Sequence, residues 1–280
     1  MFTDIHTHLW EKKHIIDDKF LDDAKAVGFT KNIIVDYRRH IEEELKYVDK
    51  VVVFGLNAKA SGIKVPNEFI SKYAKEYPEK VIGYASVDPN DSEASQELEY
   101  CVRELSLKGL KLGPIYQNFN PHDEKIAYPV YEKAQNLNIP IMWHMGTSFV
   151  REGLIENSRP YLIDRIAIDF PKLKMIIAHM GHPWENETIV VIRKQPNVYA
   201  DVAALFGRPM QLCNTLALAF EYNVTHKMLF GTDFPFTTIE QSIEGFKKIK
   251  NMLKNEIFQE IPEKIIDDII YRNNLNFLQI

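Results

Sequence analysis

Eight short apolar segments, each followed by a stretch long enough for a helix, constrain the fold of this 280-residue chain most strongly. Segments of this length and composition are typical of buried strands. Strands that alternate with helices pair in parallel, and eight such units can close on themselves, so the pattern predicts an α/β chain folded as a (β/α)8 TIM barrel. A doubly wound open sheet is the alternative. The predicted strands are residues 3–8, 51–55, 81–87, 109–113, 140–144, 175–179, 198–202 and 228–232.

One long connection interrupts this regular pattern. Residues 9–50, between the first two predicted strands, hold at least one helical stretch and the apolar run 33–35. We interpret them as an elaborated first βα-loop, which either covers the mouth of the barrel or decorates its periphery. No linker, low-complexity tract or internal repeat divides the chain, so residues 1–280 are expected to form a single domain.

Charge and composition exclude several classes of partner. The net charge is −5, with acidic and basic residues well mixed, so the basic face of a nucleic-acid-binding protein is missing. No apolar run approaches the roughly 20 residues that span a bilayer, and no signal peptide is visible, so we expect a cytoplasmic protein without a membrane partner. Cys101 and Cys213 form no CxxC pair, which excludes a zinc ribbon.

The first strand carries two histidines on one face. Alternate side chains of a strand point to the same side, so His6 and His8 both face the interior if this strand belongs to the barrel. Two converging imidazoles are natural ligands for zinc or a similar ion. Because many surface strands also contain this pattern, it predicts a metal site only together with further donors.

Three later strands end in such donors. His144 follows the apolar residues 140–143, His179 follows 175–178, and Asp233 follows 228–232. Functional groups of parallel barrels collect at the carboxyl ends of the strands, so these side chains should meet His6 and His8. Each residue alone is compatible with a structural role, but the set predicts one polar site at the mouth.

The order of these residues resembles the amidohydrolase superfamily, and in particular its amidohydrolase-2 branch. That branch includes aminocarboxymuconate-semialdehyde decarboxylase and related decarboxylases and lactone hydrolases. The resemblance spans nearly the whole chain but does not identify a substrate. It rests on segments 4–8, 108–114, 143–147, 170–184 and 230–235 and on the closing Tyr271-Arg272-Asn273.

The resemblance implies a role for each donor. His6, His8, His144 and Asp233 would bind one divalent ion, usually zinc, with manganese as the other candidate. His179 would hold or deprotonate a metal-bound water, and Asp233 would also pass a proton in hydrolytic members. The chemistry agrees, because a metal lowers the pKa of bound water from about 15.7 towards 7, where an imidazole can accept its proton. A homodimer or larger homo-oligomer is also implied.

Other polar residues leave alternatives open. Arg151 and Arg208, in loops after the fifth and seventh strands, either clamp a substrate carboxylate or lie at the surface. His182 either touches the substrate or is structural. Lys111, on the fourth strand, either bridges two metals as a carboxylated lysine, as in some amidohydrolases, or pairs with a carboxylate. Asp4 either orients a metal ligand from behind or caps the bottom of the barrel.

Three functions are compatible with this reading. We expect a metal-dependent hydrolase that uses activated water on a small lactone, amide or cyclic carboxylic substrate. The expectation rests on the Gly-Thr-Ser-Phe run at 146–149 and on a chain shorter than typical decarboxylases of the branch. The alternative is a non-oxidative decarboxylase of an unsaturated or aromatic acid, and the third is a non-catalytic metal-binding module. No GxGxxG, Walker A or GxSxG motif supports nucleotide or serine chemistry.

Overall fold

The computed structural model describes residues 2–29, 33–252, 261–272 and 275. Asn273, which closes the last segment of the resemblance, lies outside the described residues. Within the described ranges, parallel strands form a barrel and helices surround it, which confirms the predicted (β/α)8 fold.

Eight parallel strands make up the barrel wall, and two short strands, β3 and β4, form an antiparallel hairpin in the loop after β2. The strands are β1 (Thr3–His8), β2 (Lys50–Phe54), β3 (Asn57–Ala58), β4 (Ile63–Lys64), β5 (Val81–Tyr84), β6 (Leu110–Leu112), β7 (Ile141–Trp143), β8 (Met175–Ile177), β9 (Val198–Asp201) and β10 (Met228–Leu229).

Backbone hydrogen bonds at two seams close the barrel. The ladders run in the orders β1-β2-β5 and β6-β7-β8-β9-β10. The first seam joins β5 to β6, where the Lys111 amide donates to the Ala85 carbonyl at 2.7 Å. The second joins the end of β10 to β1, where the Asp233 amide donates to the His6 carbonyl at 2.9 Å. The second seam therefore brings two predicted site residues together.

Most helices pack against the outside of the barrel, whereas α1 and α2 belong to the first βα-loop and the short α5, which carries the cavity residue Tyr116, lies at the barrel mouth. No helix in the described ranges is long and apolar enough to cross a membrane. The α-helices are α1 (Lys19–Ala26), α2 (Tyr37–Glu43), α3 (Asn67–Glu76), α4 (Ala94–Arg103), α5 (Pro114–Gln117), α6 (Tyr128–Asn136), α7 (Leu162–Asp169), α8 (Glu185–Lys194), α9 (Pro209–Glu221), α10 (Ile239–Met252) and α11 (Glu263–Tyr271).

Two hydrophobic cores follow from the alternation of side chains along each strand. In β8, Ile176 points into the barrel, whereas Met175 and Ile177 point outwards to the helices. The outward residues join a large core between the barrel and the helices. The inward residues fill the lower barrel and leave no pore, and they include Ile5, Val52, Phe54, Tyr84, Met142, Ile176 and Leu229.

Several strands end earlier than the sequence predicts. The predicted strand at 175–179 ends at Ile177, and the one at 228–232 ends at Leu229. For the first of these the physical reason is a change in backbone conformation, since His179 and Met180 have φ values of 56° and 50°, and Asp233, with a φ of 65°, ends the segment after β10 in the same way. A residue in this left-handed region cannot continue a β-ladder. The polar residues therefore lie just beyond the strands, in turns that point their side chains over the barrel mouth.

The first βα-loop covers this mouth. Its Trp10 donates from Nε1 to the Ile33 carbonyl at 2.7 Å and pairs with Val35 through the backbone. Trp10 and Phe20 are almost fully buried and line a cavity above the barrel. The sequence was compatible with a loop that covers the barrel mouth or one that decorates its periphery, and the structure shows the covering loop.

The barrel interior allows a matched test of packing. Ile176→Ala removes a fully buried side chain and should lower the free energy of unfolding by about 2–5 kcal/mol. Ile168→Ala makes the same chemical change on α7, where the side chain is 55% exposed, and should change it by less than about 0.5 kcal/mol. Urea denaturation of both variants measures the difference, and equal losses would contradict this assignment of inside and outside.

Candidate metal centre and substrate cavity

The five predicted donors come together at the mouth of the barrel. Nε2 of His8 lies 3.0 Å from Oδ1 of Asp233, and Nε2 of His6 lies 3.3 Å from the same oxygen. His179 completes a group with His6 and Asp233 whose ligand atoms all lie within 4.8 Å of one another. The His144 ring lies beside His179, with 5.2 Å between the ring centroids.

Backbone carbonyls orient two of these imidazoles. Nε2 of His144 donates to the Thr147 carbonyl at 3.0 Å, and Nδ1 of His179 lies 3.3 Å from the Ala203 carbonyl. A carbonyl can only accept, so each of these ring nitrogens carries the proton while the ring is neutral. The lone pair then resides on Nδ1 of His144 and on Nε2 of His179, where it can bind a metal or a proton.

Asp201, which the sequence analysis overlooked, orients a third imidazole. It is fully buried at the end of β9, and its Oδ2 lies 2.9 Å from Nδ1 of His6. Its Oδ1 accepts from the backbone amides of His179 at 2.8 Å and Ala203 at 3.0 Å. The carboxylate thus fixes the His6 tautomer and the turn that carries His179. A polar residue closing the seventh apolar strand was the signal that could have revealed it.

The donor set fits one divalent ion. Two donors bound at about 2.1 Å to one ion can lie no more than about 4.2 Å apart, and both the His6 and His8 contacts to Asp233 satisfy this limit. Imidazole nitrogens and a carboxylate oxygen are the ligands that zinc prefers, and manganese also accepts them. The residues present therefore match the metal that the resemblance implies.

The protonation states of His8, His144, His179 and Asp233 also suit a metal, whereas for His6 burial and Lys111 are outweighed by Asp201 and Asp233, which raise its pKa. Burial lowers the pKa of His8 to about 4 and that of His144 to about 3, and it lowers the pKa of His179 well below its usual value. Burial opposes ionisation of Asp233, but the neighbouring His179 and hydrogen bonds from His6 and His8 outweigh it and hold the pKa of that carboxyl well below its usual range. Neutral imidazoles and an ionised carboxylate are the forms that bind metals.

The backbone at the centre is held under strain. His179 and Asp233 both have the left-handed conformation, which non-glycine residues adopt at a cost of about 1–3 kcal/mol each. Gly231, just before the Asp233 turn, packs so tightly that an added Cβ would lie 2.7 Å from Cβ of His6. The surrounding hydrogen bonds and this close approach maintain the strained turns, and such strain is typical of functional sites.

A cavity with aromatic walls opens onto the centre. Its outer compartment has a volume of about 340 Å³ and its inner one about 40 Å³. A larger cavity, about 550 Å³, lies outside the barrel between α7, α8 and α9 and contains none of the predicted site residues. We therefore take the smaller cavity as the candidate binding site, because it contains the predicted site residues and the larger one does not. The two compartments share a wall formed by Tyr116, His144, Phe149, His179, Asp233 and Phe236.

The structure separates the three residues predicted to bind substrate. Arg208 and His182 line the outer compartment of the cavity. Arg151 does not, because its side chain is 70% exposed and its Nε pairs with Asp23 of α1 at 3.1 Å. The expectation that Arg151 clamps a substrate is therefore corrected, since its guanidinium fastens the covering loop to the loop after β7.

Lys111 lies inside the barrel mouth without the carboxylate partner that we expected. Its side chain is 2% exposed, and Nζ lies 3.4 Å from Nε2 of His6 and 4.6 Å from the centroid of the Phe54 ring. Burial lowers its pKa to about 8. Among the described residues, no carboxylate lies within 4.0 Å of Nζ, so the predicted ion pair is not formed.

Asp4 supports the centre from below. Its Oδ1 accepts from the backbone amides of His6 at 2.9 Å and Thr232 at 3.1 Å. It therefore ties the first strand to the segment that leads to Asp233, which agrees with the orienting role and not with a cap at the bottom of the barrel. Burial raises the pKa of Asp4 to about 7.

The role of Asp201 can be tested by an isosteric change. In Asp201→Asn an oxygen can still accept from the two backbone amides, but the amide nitrogen faces His6 and cannot accept its proton. We expect the fold to persist and the metal affinity to fall about 10–100-fold. A chelator titration followed by elemental analysis measures this, with Asp169→Asn on the surface of α7 as the control. Unchanged affinity in Asp201→Asn would refute the orienting role.

Comparisons with known sequences identify relatives along most of the chain. The sequence model described as Amidohydrolase matches residues 3–279. A 2-amino-3-carboxymuconate-6-semialdehyde decarboxylase from Dictyostelium discoideum is 24% identical, over 88% of this chain and 79% of the relative. A gamma-resorcylate decarboxylase from Polaromonas sp. is 23% identical, over 65% of this chain and 68% of the relative.

Solved structures share the fold over essentially the full length. An uncharacterised TIM-barrel protein from Bordetella bronchiseptica has a TM-score of 0.71 at 21% identity, covering 99% of this chain and 98% of that one. A dihydroxybenzoic acid decarboxylase from Polaromonas sp., with bound manganese and an inhibitor, has a TM-score of 0.66 at 18% identity, covering 100% and 97%. With the family match over residues 3–279, the chain belongs to the amidohydrolase family and is an enzyme, either a hydrolase or a carboxy-lyase.

Proposed function

We propose that this enzyme is a metal-dependent, non-oxidative decarboxylase of a small planar acid, either aromatic or unsaturated. This reverses the preference for a hydrolase that the sequence suggested. The reason is that the two curated relatives described above are both decarboxylases. A hydrolase function is supported only by membership of the wider superfamily.

One observation carries the proposal. The imidazoles of His6 and His8 lie within 3.3 Å of the Asp233 carboxylate at the floor of a cavity lined by aromatic side chains. Such a site combines donors for a divalent ion with flat apolar walls. It can hold the carboxyl end of an acid at the polar floor and stack its planar body against the walls.

His6, His8, His144 and Asp233 are the residues that would hold the ion. When bound, a divalent ion supplies positive charge that polarises a ligand oxygen and stabilises negative charge developing on it. Three imidazoles and one carboxylate favour zinc. Manganese is the second candidate, because the related decarboxylase from Polaromonas contains it.

The protein itself positions the substrate and excludes water. Tyr116, Phe149 and Phe236 form walls that both compartments of the cavity share, and Trp10 and Phe20 of the covering loop close the inner one. Aromatic faces bind a planar acid with little loss of side-chain entropy. Arg208 and His182, on the outer wall, are proposed to contact the part of the substrate that faces the mouth.

Decarboxylation needs one proton at a defined place. The bond between the substrate carbon and its carboxyl group breaks, carbon dioxide leaves, and the electron pair on the carbon takes up a proton. We assign the delivery of that proton to Nε2 of His179. Its Nδ1 is engaged by the Ala203 carbonyl, so Nε2 has the free lone pair that can accept a proton from water and pass it to carbon, and the hydroxide left behind combines with the released carbon dioxide as bicarbonate.

Hydrolysis is the second candidate, and the same histidine favours it. Burial keeps the pKa of His179 well below its usual value, so the ring is neutral and its Nε2 can accept a proton from water. Hydrolysis and decarboxylation can therefore use the same side chains, and the two reactions are distinguished by their products.

Product analysis tests the proposed function directly. Purified enzyme should release carbon dioxide from members of a panel of aromatic and unsaturated acids and should not open small lactones or hydrolyse amides. Removal of metal by a chelator should abolish the release, and zinc or manganese should restore it. Mass spectrometry of the products distinguishes the outcomes. Hydrolysis without carbon dioxide release would replace the proposal by its alternative.

Paired histidine variants separate the metal ligands from the proton carrier. We expect His6→Asn to lose the metal together with activity. His179→Asn should retain the metal and lose at least about 100-fold in kcat, the usual contribution of a positioned acid or base. Elemental analysis and steady-state kinetics of the same preparations measure both. Loss of metal from His179→Asn would make that residue a ligand, which its position near His6 and Asp233 also permits.

A further inference from the structure

We propose that His40, on α2 of the covering loop, is a positioning residue for the metal centre and holds the strand segment that carries His6 and His8. This role is independent of which reaction the enzyme catalyses, so the inference goes beyond the proposed function. The His40 side chain is fully buried and lines neither compartment of the cavity. It acts through a chain of hydrogen bonds that joins the covering loop to the first strand.

The pairing of β1 with β2 is interrupted where the first metal ligand lies. Between Asp4 and Thr7, β1 holds two residues, whereas the stretch of β2 paired with it holds only Val52. This is the pattern of a β-bulge, which disrupts the ladder locally and redirects side chains. It allows the consecutive residues Ile5 and His6 to face the barrel interior together. Contacts other than the ladder are therefore needed to fix the strand at this point.

Side-chain hydrogen bonds supply these contacts. The Thr7 hydroxyl donates to the Val52 carbonyl at 2.8 Å, so its oxygen can only accept from His40, whose Nε2 lies 3.0 Å away. Burial lowers the pKa of His40 to about 3, so the ring is neutral and carries one proton, on Nε2. Nδ1 then accepts from the Tyr73 hydroxyl at 3.0 Å. The donors thus run in one direction, from α3 through the covering loop to both strands.

His40 also contacts the other side of the metal centre. Its ring meets the ring of Phe234 edge-on, with 5.8 Å between the centroids. Phe234 follows Asp233 directly, pairs with Thr7 across the seam, and accepts from the His8 amide at 2.8 Å. α2 therefore contacts both segments that carry metal ligands, at positions next to the ligands themselves. The seating of the covering loop and the geometry of the centre are linked through this one side chain.

Metal affinity and metal geometry test the role of His40 without relying on turnover. His40→Leu removes both hydrogen bonds, so zinc affinity, measured by competition with a chromophoric chelator, should fall about tenfold, the lower end of the range for groups that orient metal ligands. His40→Gln offers an amide nitrogen to Thr7 and should restore most of the affinity. The visible absorption of bound cobalt should change in His40→Leu, because it reports the arrangement of ligands around the ion.

His14→Leu is the matched control. His14 is another buried histidine of the covering loop, but its Nδ1 accepts from the Glu11 amide within the loop and its ring packs against Phe69 of α3. The change should lower the Tm, because it leaves the Glu11 amide without its partner. Zinc affinity and cobalt absorption should stay as in the parent protein.

Two smaller changes test the chain and decide the question if His40→Leu does not fold. Thr7→Val keeps the shape of the side chain and removes the acceptor for Nε2, whereas Tyr73→Phe removes only the outermost donor. Zinc affinity should fall in both, and more in Thr7→Val. Thr7→Val combined with His40→Leu should lose no more than the larger single loss, because both interrupt one chain. Thr215→Val, at a buried threonine that donates within α9, should leave the affinity unchanged.

The results separate a positioning role from a purely structural one. Unchanged zinc affinity in His40→Leu and Thr7→Val would overturn the inference, even if the Tm falls. An equal loss of affinity in His14→Leu would do the same, since it would trace the effect to a general loss of loop structure. Product analysis decides the proposed function independently, because a hydrolase and a decarboxylase would show the same dependence of metal affinity on His40.

Discussion

The hydrogen bonds that close the barrel between β1 and the end of β10 are the constraint on which the site depends. The Asp233 amide donates to the His6 carbonyl, and one oxygen of Asp4 accepts from the amides of both His6 and Thr232. These contacts place the Asp233 carboxylate beside His6 and His8, residues that are more than two hundred positions away along the chain. Without this seam the donors would belong to opposite edges of an open sheet.

The polar centre is expensive to bury, and the surrounding structure offsets the cost by supplying hydrogen bonds. Asp201 accepts from two backbone amides and from His6, and carbonyls engage His144 and His179. In each of these imidazoles one ring nitrogen makes a hydrogen bond to the protein, which leaves the other nitrogen free to bind a metal or a proton. The left-handed turns at His179 and Asp233 are part of the same arrangement, since they lift both side chains off the ends of their strands.

The covering loop determines what can reach this centre. Its aromatic rings pack against Phe149 and Phe236, and these contacts make the walls of the cavity flat and apolar. The rings of the loop are those of Trp10, Phe20 and Phe29. The ion pair of Arg151 with Asp23, and that of Lys19 with Glu152, fasten the loop to the neighbouring segment after β7. Apolar walls above a charged floor suit a planar acid better than an extended polar chain.

The sequence by itself determined the strand and helix pattern, the barrel and the five polar residues that meet at its mouth. Each of these depends on a local rule: alternation puts His6 and His8 on one face, and strand ends carry the polar groups of a parallel barrel. All eight predicted strands are present, although most are shorter than predicted, and in the sixth a left-handed turn at His179 replaces the last predicted residue.

Only the tertiary structure decided which of the other polar residues face the site. Arg151 and Arg208 look alike in sequence, since both follow a barrel strand, yet one pairs with Asp23 and the other lines the cavity. The roles of Asp201 and Lys111 depend on contacts with residues of other strands, and both side chains contact His6 of β1. Periodicity specifies the face on which a side chain lies, whereas its partner is set by the packing of segments distant in the chain.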